Sequence, residues 1–223
     1  MSALAFLFTC EHGGNAIPIA YAPLFAPWGD LLASHRGFDL GALETAQVLA
    51  RAVAAPLLAA TTSRLLVDLN RSVGHPGLFS EITGKLPATA RAEILAKHYH
   101  PHRSAVAGAV AERIKAGKTV VHIACHSFTP ILDGKARRCD VGFLYDPKRL
   151  GEKAFCLAWM LELAARAKEL VLRRNSPYRG VADGLVTAFR RRFGERYLGL
   201  ELEVNQRFVQ TNAQALADVS GHL

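Results

Sequence analysis

Apolar and polar residues alternate along the chain in blocks that predict strands and helices in turn. Apolar runs of strand length lie at 4–9, 65–69, 119–125, 142–145, 171–173 and 197–204. Segments with a helical spacing of apolar residues lie between and after them, at 39–54, twice within 88–115, and at 153–169, 182–192 and 211–219. Such alternation is typical of a sheet whose strands are joined by helices. The pattern therefore predicts an α/β protein.

The strands themselves indicate how the sheet is covered. The run Val120-Val121-His122-Ile123-Ala124 is almost continuously apolar, as expected when helices cover both faces of a sheet. We therefore expect a three-layer sandwich with a mostly parallel or mixed sheet. No internal repeat or linker divides the chain, so residues 1–223 are expected to form a single domain. The irregular stretch 71–87, rich in glycine and proline, is a candidate lid.

Composition excludes several classes of protein. The chain is 50% hydrophobic and 21% charged, which excludes a disordered protein. It contains no apolar run of about 18 residues, which excludes a helix that spans a membrane. Its four cysteines are Cys10, Cys125, Cys139 and Cys156. They lack the spacing of a disulfide framework or a zinc motif. We therefore expect reduced thiols and a cytoplasmic location.

The chain carries an excess of positive charge. There are 27 Lys and Arg residues against 19 Asp and Glu residues, a formal net charge of +8. This favours nucleic acid, an anionic surface or a small acidic substrate as partner. The basic residues are scattered in short groups without the motifs of nucleic-acid-binding proteins. We expect a small anionic substrate, and neither nucleic acid nor a membrane; the sequence leaves the oligomeric state open.

Polar residues that can carry chemistry follow four of the apolar runs. Ligands of open α/β sheets bind beyond the carboxyl ends of the strands, so these segments are expected to form the site. Two histidines, His12 and His126, together with one further nitrogen or oxygen ligand would hold Zn²⁺ and leave a position open for water. The segments are Cys10-Glu11-His12-Gly13-Gly14-Asn15, Asp68-Leu69-Asn70-Arg71, Cys125-His126-Ser127 and Glu201-Leu202-Glu203-Val204-Asn205.

Other reactive residues have plainer interpretations. Cys10 and Cys125 suggest a thiol nucleophile, but cysteines that end apolar strands are more often inert core residues. His98, His100 and His102 alternate in sequence, and alternate residues of a helix point in different directions. We expect them mostly at the surface, with His102 or its neighbour Arg103 facing the site. A turn around Pro177 would bring Asn175, Tyr178 and Arg179 to the pocket.

The four segments together resemble the N-formylglutamate amidohydrolase family, which is similar to the zinc carboxypeptidases and aspartoacylases. The resemblance runs from Thr9 to about Gln206 and depends on motifs that occur in the same order. The matching stretches are Cys10-Glu11-His12-Gly13-Gly14-Asn15 with Ile17-Pro18, His35-Arg36-Gly37-Phe38-Asp39, Ser63-Arg64-Leu65-Leu66-Val67-Asp68-Leu69-Asn70-Arg71, His126-Ser127-Phe128 and Glu201-Leu202-Glu203-Val204-Asn205.

The resemblance implies a metal site and a general base. It assigns His12 and His126 as metal ligands and Glu203 as the base. In the wider superfamily a His-x-x-Glu motif supplies a further ligand, and Asn15 stands at the position of that glutamate. Asp39 is the preferred third ligand here, with Asn15 and Glu11 as the alternatives. Spacing alone does not separate Glu201 from Glu203, because both lie on one face of a strand.

The resemblance also implies how a substrate is held. An Asn-Arg pair binds the substrate carboxylate in the superfamily, and Asn70 and Arg71 match it. Tyr178 is a further candidate for substrate binding because of its place in the turn around Pro177. Arg64 resembles the arginine that stabilises the developing oxyanion. The implied activity is that of an amidohydrolase with one zinc ion per chain, acting on N-formyl-L-glutamate. The alternatives are a hydrolase of another N-acyl amino acid or small peptide amide, and a non-catalytic module that binds small anions.

Overall fold

The computed structural model describes residues 2–223 as alternating strands and helices. The strands are β1 (Leu4–Cys10), β2 (Leu57–Ala59), β3 (Thr119–Phe128), β4 (Ile131–Leu132), β5 (Lys135–Ala136), β6 (Val141–Leu144), β7 (Leu172–Arg174) and β8 (Tyr197–Asn205). The α-helices are α1 (Ala22–Phe25), α2 (Gly29–Ala33), α3 (Ala42–Ala52), α4 (Ala88–Ile94), α5 (His100–Lys115), α6 (Leu150–Arg166), α7 (Leu185–Phe193), α8 (Arg207–Thr211) and α9 (Ala213–His222). A π-helical turn at Leu95–Tyr99 joins α4 to α5.

The main sheet is mixed and mostly parallel, as predicted. Its six strands lie in the order β2-β1-β3-β8-β6-β7 within the described chain. The strands β2, β1, β3 and β8 run parallel to one another. Strand β6 is antiparallel to β8 and parallel to β7. The four parallel strands therefore end at one edge of the sheet.

Helices cover both faces of this sheet, which confirms the three-layer sandwich. On one face, Val121, Ile123 and Cys125 of β3 pack in a cluster with residues of α3, α6 and α9. On the other face, Val120 and Ala124 pack with residues of α5 and α7. Because both faces of β3 are buried, residues 120–125 of this strand are apolar apart from His122 and do not alternate with polar residues. None of the helices in residues 2–223 is both long enough and apolar enough to cross a bilayer.

The predicted strand at 65–69 is wrong. This segment is a series of turns in which the Leu66 N–H donates to the Ser63 carbonyl and the Asp68 N–H donates to the Leu78 carbonyl. Its leucines and valine are apolar because they are buried in a third cluster around Leu78 and Ile94. A buried apolar run of this length looks the same in a loop as in a strand. The edge strand beside β1 is β2 instead.

All four cysteines are buried and unpaired, in agreement with their interpretation as core residues. Burial raises the pKa of the Cys10 and Cys125 thiols far above the usual value. A thiol of this kind is neutral at physiological pH and is a poor nucleophile. The structure therefore gives no support to a cysteine nucleophile.

The buried His122 makes the stability of the fold depend on pH. Its Nε2 lies 2.8 Å from Oγ1 of Thr9, and its Nδ1 lies 2.6 Å from Oη of Tyr197. Burial lowers the pKa of His122 from 6.5 to about 4, so the unfolded chain takes up this proton more readily between those values. Its contribution to stability is therefore complete above about pH 6.5 and is lost progressively as the pH falls towards about 4.

We expect urea denaturation to detect this loss. Between about pH 7 and about pH 5 the free energy of unfolding of the wild type should fall by ~2 kcal/mol more than that of His122→Gln. The variant is the reference for the wild type, because every other group that titrates in this range is present in both proteins. Equal losses for the two proteins would contradict the prediction.

Candidate active site

Three neighbouring parallel strands carry polar residues at or just beyond their carboxyl ends. His12 follows β1, His126 lies near the end of β3, and Glu203 lies near the end of β8. The pairing of β3 with β8 sets His126 opposite Glu203. The ring centroids of His12 and His126 are 5.1 Å apart. The sheet thus gathers three predicted site residues that are distant in the sequence.

Asp39 joins the two histidines and completes a group of three candidate metal ligands. One ligand atom from each residue lies within 4.8 Å of the others. Oδ2 of Asp39 lies 3.3 Å from Nδ1 of His12 and 2.8 Å from Nδ1 of His126. The Asp39 N–H donates to the His12 carbonyl, which holds the two residues side by side. Two imidazoles and one carboxylate are typical ligands of catalytic zinc, so the donors present fit this ion.

Arg64 and Asp68 surround this group with charge. The two terminal nitrogens of Arg64 donate to Oδ1 of Asp39 at 3.2 Å and to Oδ2 of Asp68 at 2.7 Å. The other oxygen of Asp68 lies 2.7 Å from Nε2 of His12. Although burial opposes ionisation, His12 and Arg64 hold the pKa of both carboxyl groups well below the usual range. Both carboxyl groups are therefore ionised and oriented.

Glu203 has the properties of a general base. Its side chain is buried, and its Oε2 has no hydrogen-bond partner among residues 2–223. Burial raises the pKa of Glu203 to about 8. A carboxyl group with a pKa near neutrality can both accept and return a proton at physiological pH. By contrast, Oε1 of the neighbouring Glu201 accepts a hydrogen bond from Asn70 at 3.2 Å.

Asn70 is held in place by groups from three elements. Its Oδ1 accepts a hydrogen bond from the N–H of Leu185, the first residue of α7, at 2.7 Å. Its Nδ2 donates to Glu201 of β8 and lies 3.4 Å from Nε2 of His126 in β3. The amide therefore joins the three elements that form this wall of the site.

Most of the predicted residues line one cavity of about 180 Å³. Arg71 donates from Nη1 to the Asp183 carbonyl at 2.9 Å. Tyr178 lies at the mouth, where its hydroxyl accepts a hydrogen bond from Arg137 at 3.0 Å. The predicted residues in the lining are His12, Asp39, Arg64, Asn70, Arg71, His126, Tyr178 and Glu203.

Asn15 is the predicted site residue that the structure does not bring to the cavity. It is exposed, and its Nδ2 donates to the Leu32 carbonyl at 3.2 Å. The preceding residue, Gly14, packs so closely on Thr61 that a Cβ atom would lie 2.7 Å from the Thr61 carbonyl oxygen. This packing directs the chain along residues 60–63. Of the alternatives for the third ligand, the geometry favours Asp39.

Glu11 and His102 also lie outside the three-ligand group. Oε2 of Glu11 lies 3.3 Å from Nε2 of His126, and its Oε1 lies 3.5 Å from Nε2 of His102. Of the alternating histidines, only His102 faces this region: His100 is exposed and His98 packs edge-on against Tyr21. The neighbouring Arg103 donates instead to the Leu69 carbonyl.

Arg179 follows Tyr178 in the same turn and lines the cavity, as the sequence predicted for this turn. Asn175, from the same turn, is not in the lining, and its Oδ1 accepts hydrogen bonds from the N–H groups of Tyr145 and Gly180. Several other lining residues were not assigned a role in binding from the sequence. Asp183 accepts hydrogen bonds from both the N–H and the hydroxyl of Ser72, and so ties the start of the 71–87 stretch to the cavity wall. The remaining lining residues are Ser127, Ala182 and Glu201. That the 71–87 stretch acts as a lid stays a prediction.

Comparisons with known proteins find a family and two solved structures to which the chain is similar. A family model described as N-formylglutamate amidohydrolase matches residues 4–209. The crystal structure of gene product Atu2144 from Agrobacterium tumefaciens is similar at 31% identity, with a TM-score of 0.82 over 99% of this chain and 87% of that chain. N-formylglutamate amidohydrolase from Ralstonia eutropha JMP134 has a similar fold at 21% identity, with a TM-score of 0.73 over 100% of this chain and 90% of that chain. No curated protein matches the chain significantly.

Proposed function

Because the chain belongs to the N-formylglutamate amidohydrolase family, we propose that it is a zinc-dependent amidohydrolase that cleaves the amide bond of an N-acyl amino acid. The leading substrate is N-formyl-L-glutamate, which hydrolysis converts to formate and glutamate. The observation that carries the proposal is the group of His12, Asp39 and His126 beside Glu203 in one cavity. The small size of that cavity favours a short acyl group.

The metal would be held by the residues that already lie together. His12, Asp39 and His126 would bind one zinc ion per chain, with Asp68 orienting His12 through its Nε2. When bound, zinc supplies polarisation of the amide carbonyl and lowers the pKa of a water molecule to about 7. The buried position of all three side chains shields the site from competing solvent.

Glu203 would move the proton. It would accept a proton from the attacking water and return it to the nitrogen of the leaving amine. Its position opposite His126 in the sheet keeps it beside the proposed ligands. Arg64 would place positive charge near the carbonyl oxygen, where negative charge develops during the reaction.

Arginines would select an anionic substrate. Arg71 and Arg179 both line the cavity, and a guanidinium binds a carboxylate through two parallel hydrogen bonds. N-formyl-L-glutamate carries two carboxylates, so two arginines match its charge. Tyr178 would contact the substrate at the mouth. Binding of a small anion also explains part of the net positive charge of the chain, because a cationic pocket attracts such a substrate.

Three further features of the enzyme are its domain organisation, its cellular compartment and its partner. We propose that residues 1–223 act as a single catalytic domain, because the proposed ligands and the base meet at one edge of a single sheet. The four unpaired cysteines favour a reducing compartment, the cytoplasm. The proposed partner is the small anionic substrate, with no role for nucleic acid or a membrane.

Metal content and product release test the proposal together. Elemental analysis of untagged protein should find about one zinc per chain in the wild type and a clear loss in His126→Ala, because the variant lacks one of the three ligands. The wild type should release formate from N-formyl-L-glutamate and react more slowly with N-acetyl-L-glutamate and N-formyl-L-glutamine.

The outcomes separate the alternatives. Faster turnover of another acyl group would replace the named substrate and leave the chemistry intact. A wild type that holds no metal after zinc is added would overturn the mechanism. If that protein still bound N-formyl-L-glutamate without cleaving it, the non-catalytic anion-binding module would take the place of the enzyme.

A further inference from the structure

The carboxylate of Glu11 is fully buried at the end of β1, next to the proposed ligand His12. No donor in the described part of the chain forms a regular hydrogen bond with either of its oxygens. Two imidazoles lie within ion-pair distance, with Nε2 of His126 3.3 Å from Oε2 and Nε2 of His102 3.5 Å from Oε1. A buried carboxylate without a partner costs several kcal/mol. Glu11 therefore depends on these two histidines.

The two proposed histidine ligands are held in the same way. Each presents Nδ1 to Oδ2 of Asp39, and each presents Nε2 to a second carboxylate. For His12 this second carboxylate is Asp68, at 2.7 Å, and for His126 it is Glu11, at 3.3 Å. A histidine that binds metal through one nitrogen usually donates the N–H of the other to a carboxylate, which fixes its tautomer and ring orientation.

We infer that Glu11 is a positioning residue that orients His126 for metal binding, and that His102 orients Glu11 from the opposite side. This inference rests on the proposed function, in which His126 is a ligand. Glu11 is not a ligand in this arrangement, because it lies beside Nε2 of His126, whereas Asp39 lies beside Nδ1 of the same ring.

The backbone explains how His102 reaches Glu11. The π-helical turn at Leu95–Tyr99 adds a residue to one helical turn and so rotates the residues that follow in α5. The side chain of His102 is only 10% exposed, and its Nε2 is buried. His100, two positions earlier on the same helix, remains exposed and serves as a matched control.

Zinc affinity tests the inference without substrate. A chromophoric chelator would compete for zinc with the wild type, Glu11→Gln and His100→Gln. Glutamine keeps the volume of the side chain but carries no negative charge, so it is a weaker acceptor for the Nε2–H of His126. We expect about a 10- to 100-fold weaker affinity for Glu11→Gln and an unchanged affinity for His100→Gln. In NMR spectra of the zinc-loaded proteins, the Nε2–H resonance of His126 should move upfield in Glu11→Gln only.

Each outcome decides the question. Equal zinc affinity and an unmoved His126 resonance in Glu11→Gln would overturn the inference and leave the proposed function standing. A wild type that binds no zinc would overturn both. If Glu11→Gln does not fold, His102→Gln takes its place, with an expected loss of a few-fold in affinity and the same direction of change in the resonance. Wild-type affinity in His102→Gln would then overturn the inference.

Discussion

Replacement of Glu203 by glutamine is expected to lower kcat by about 10²- to 10⁴-fold, the usual contribution of a general base. Glutamine occupies the same volume but cannot accept a proton from water. Burial raises the pKa of Glu203 to about 8, and its Oε2 has no hydrogen-bond partner among residues 2–223. KM and zinc content should stay near the wild-type values, because Glu203 is not among the proposed ligands.

Formate release by the purified proteins measures this effect. Glu201→Gln is the matched control, since Glu201 lies two positions earlier on the same face of β8 and also lines the cavity. Its Oε1 is already bound by Asn70, so we expect a loss of less than about 10-fold. A larger loss of kcat in Glu201→Gln than in Glu203→Gln would reverse the assignment of the base.

Replacement of Glu152 by glutamine is expected to lower the free energy of unfolding by ~3–5 kcal/mol, the cost of breaking a buried ion pair. Glu152 is fully buried in α6 and accepts hydrogen bonds from Nε of Arg190 at both oxygens, 2.9 and 3.1 Å. Nε of Arg149 adds a further bond at 3.0 Å. The variant would leave the buried guanidinium of Arg190 without its counterion.

This ion pair also supports the active site. Arg190 donates to the carbonyl of Gly180, in the segment that carries Tyr178 and Arg179, and to the carbonyl of Gly199 in β8 at 2.7 Å. Urea denaturation at constant pH measures the effect. Glu162→Gln is the control on the same helix, because Glu162 is exposed and its ion pair with Arg166 spans 3.9 Å. It should change stability by less than about 1 kcal/mol, and a similar loss in the two variants would contradict the prediction.

The sequence predicted most of the elements because their hydrophobic patterns are set by burial on one or both sides. Strands β1, β3 and β8 and the longer helices follow from these patterns, with small differences at their ends. The segment at 65–69 shows the limit of this reasoning, since burial in a loop produces the same apolar run as burial in a strand. Asp68 and Arg71 nevertheless lie at the site, because the turns of this segment pass the end of the sheet.

The chemical residue types were visible in the sequence, but their contacts were not. His12, His126 and Glu203 stood out because each ends or follows a strand, and parallel strands end at a common edge. Asp39, Asn15 and Glu11 were alternatives for one position, and only the tertiary structure placed Asp39 between the two histidines and Asn15 away from the site. The turn around Pro177 was expected to bring Asn175, Tyr178 and Arg179 to the cavity, and only the tertiary structure decided that Asn175 is not among the lining residues.

The sequence by itself determined the α/β class, the covered sheet and the strand ends from which the site is built, because these depend on periodicity and on local residue types. Only the tertiary structure decided which carboxylate meets which imidazole: Asp39 between the two histidines, Asp68 behind His12 and Glu11 behind His126. Such contacts join residues from different elements over distances of a few ångströms. They depend on how the elements pack, which no local pattern of the chain encodes.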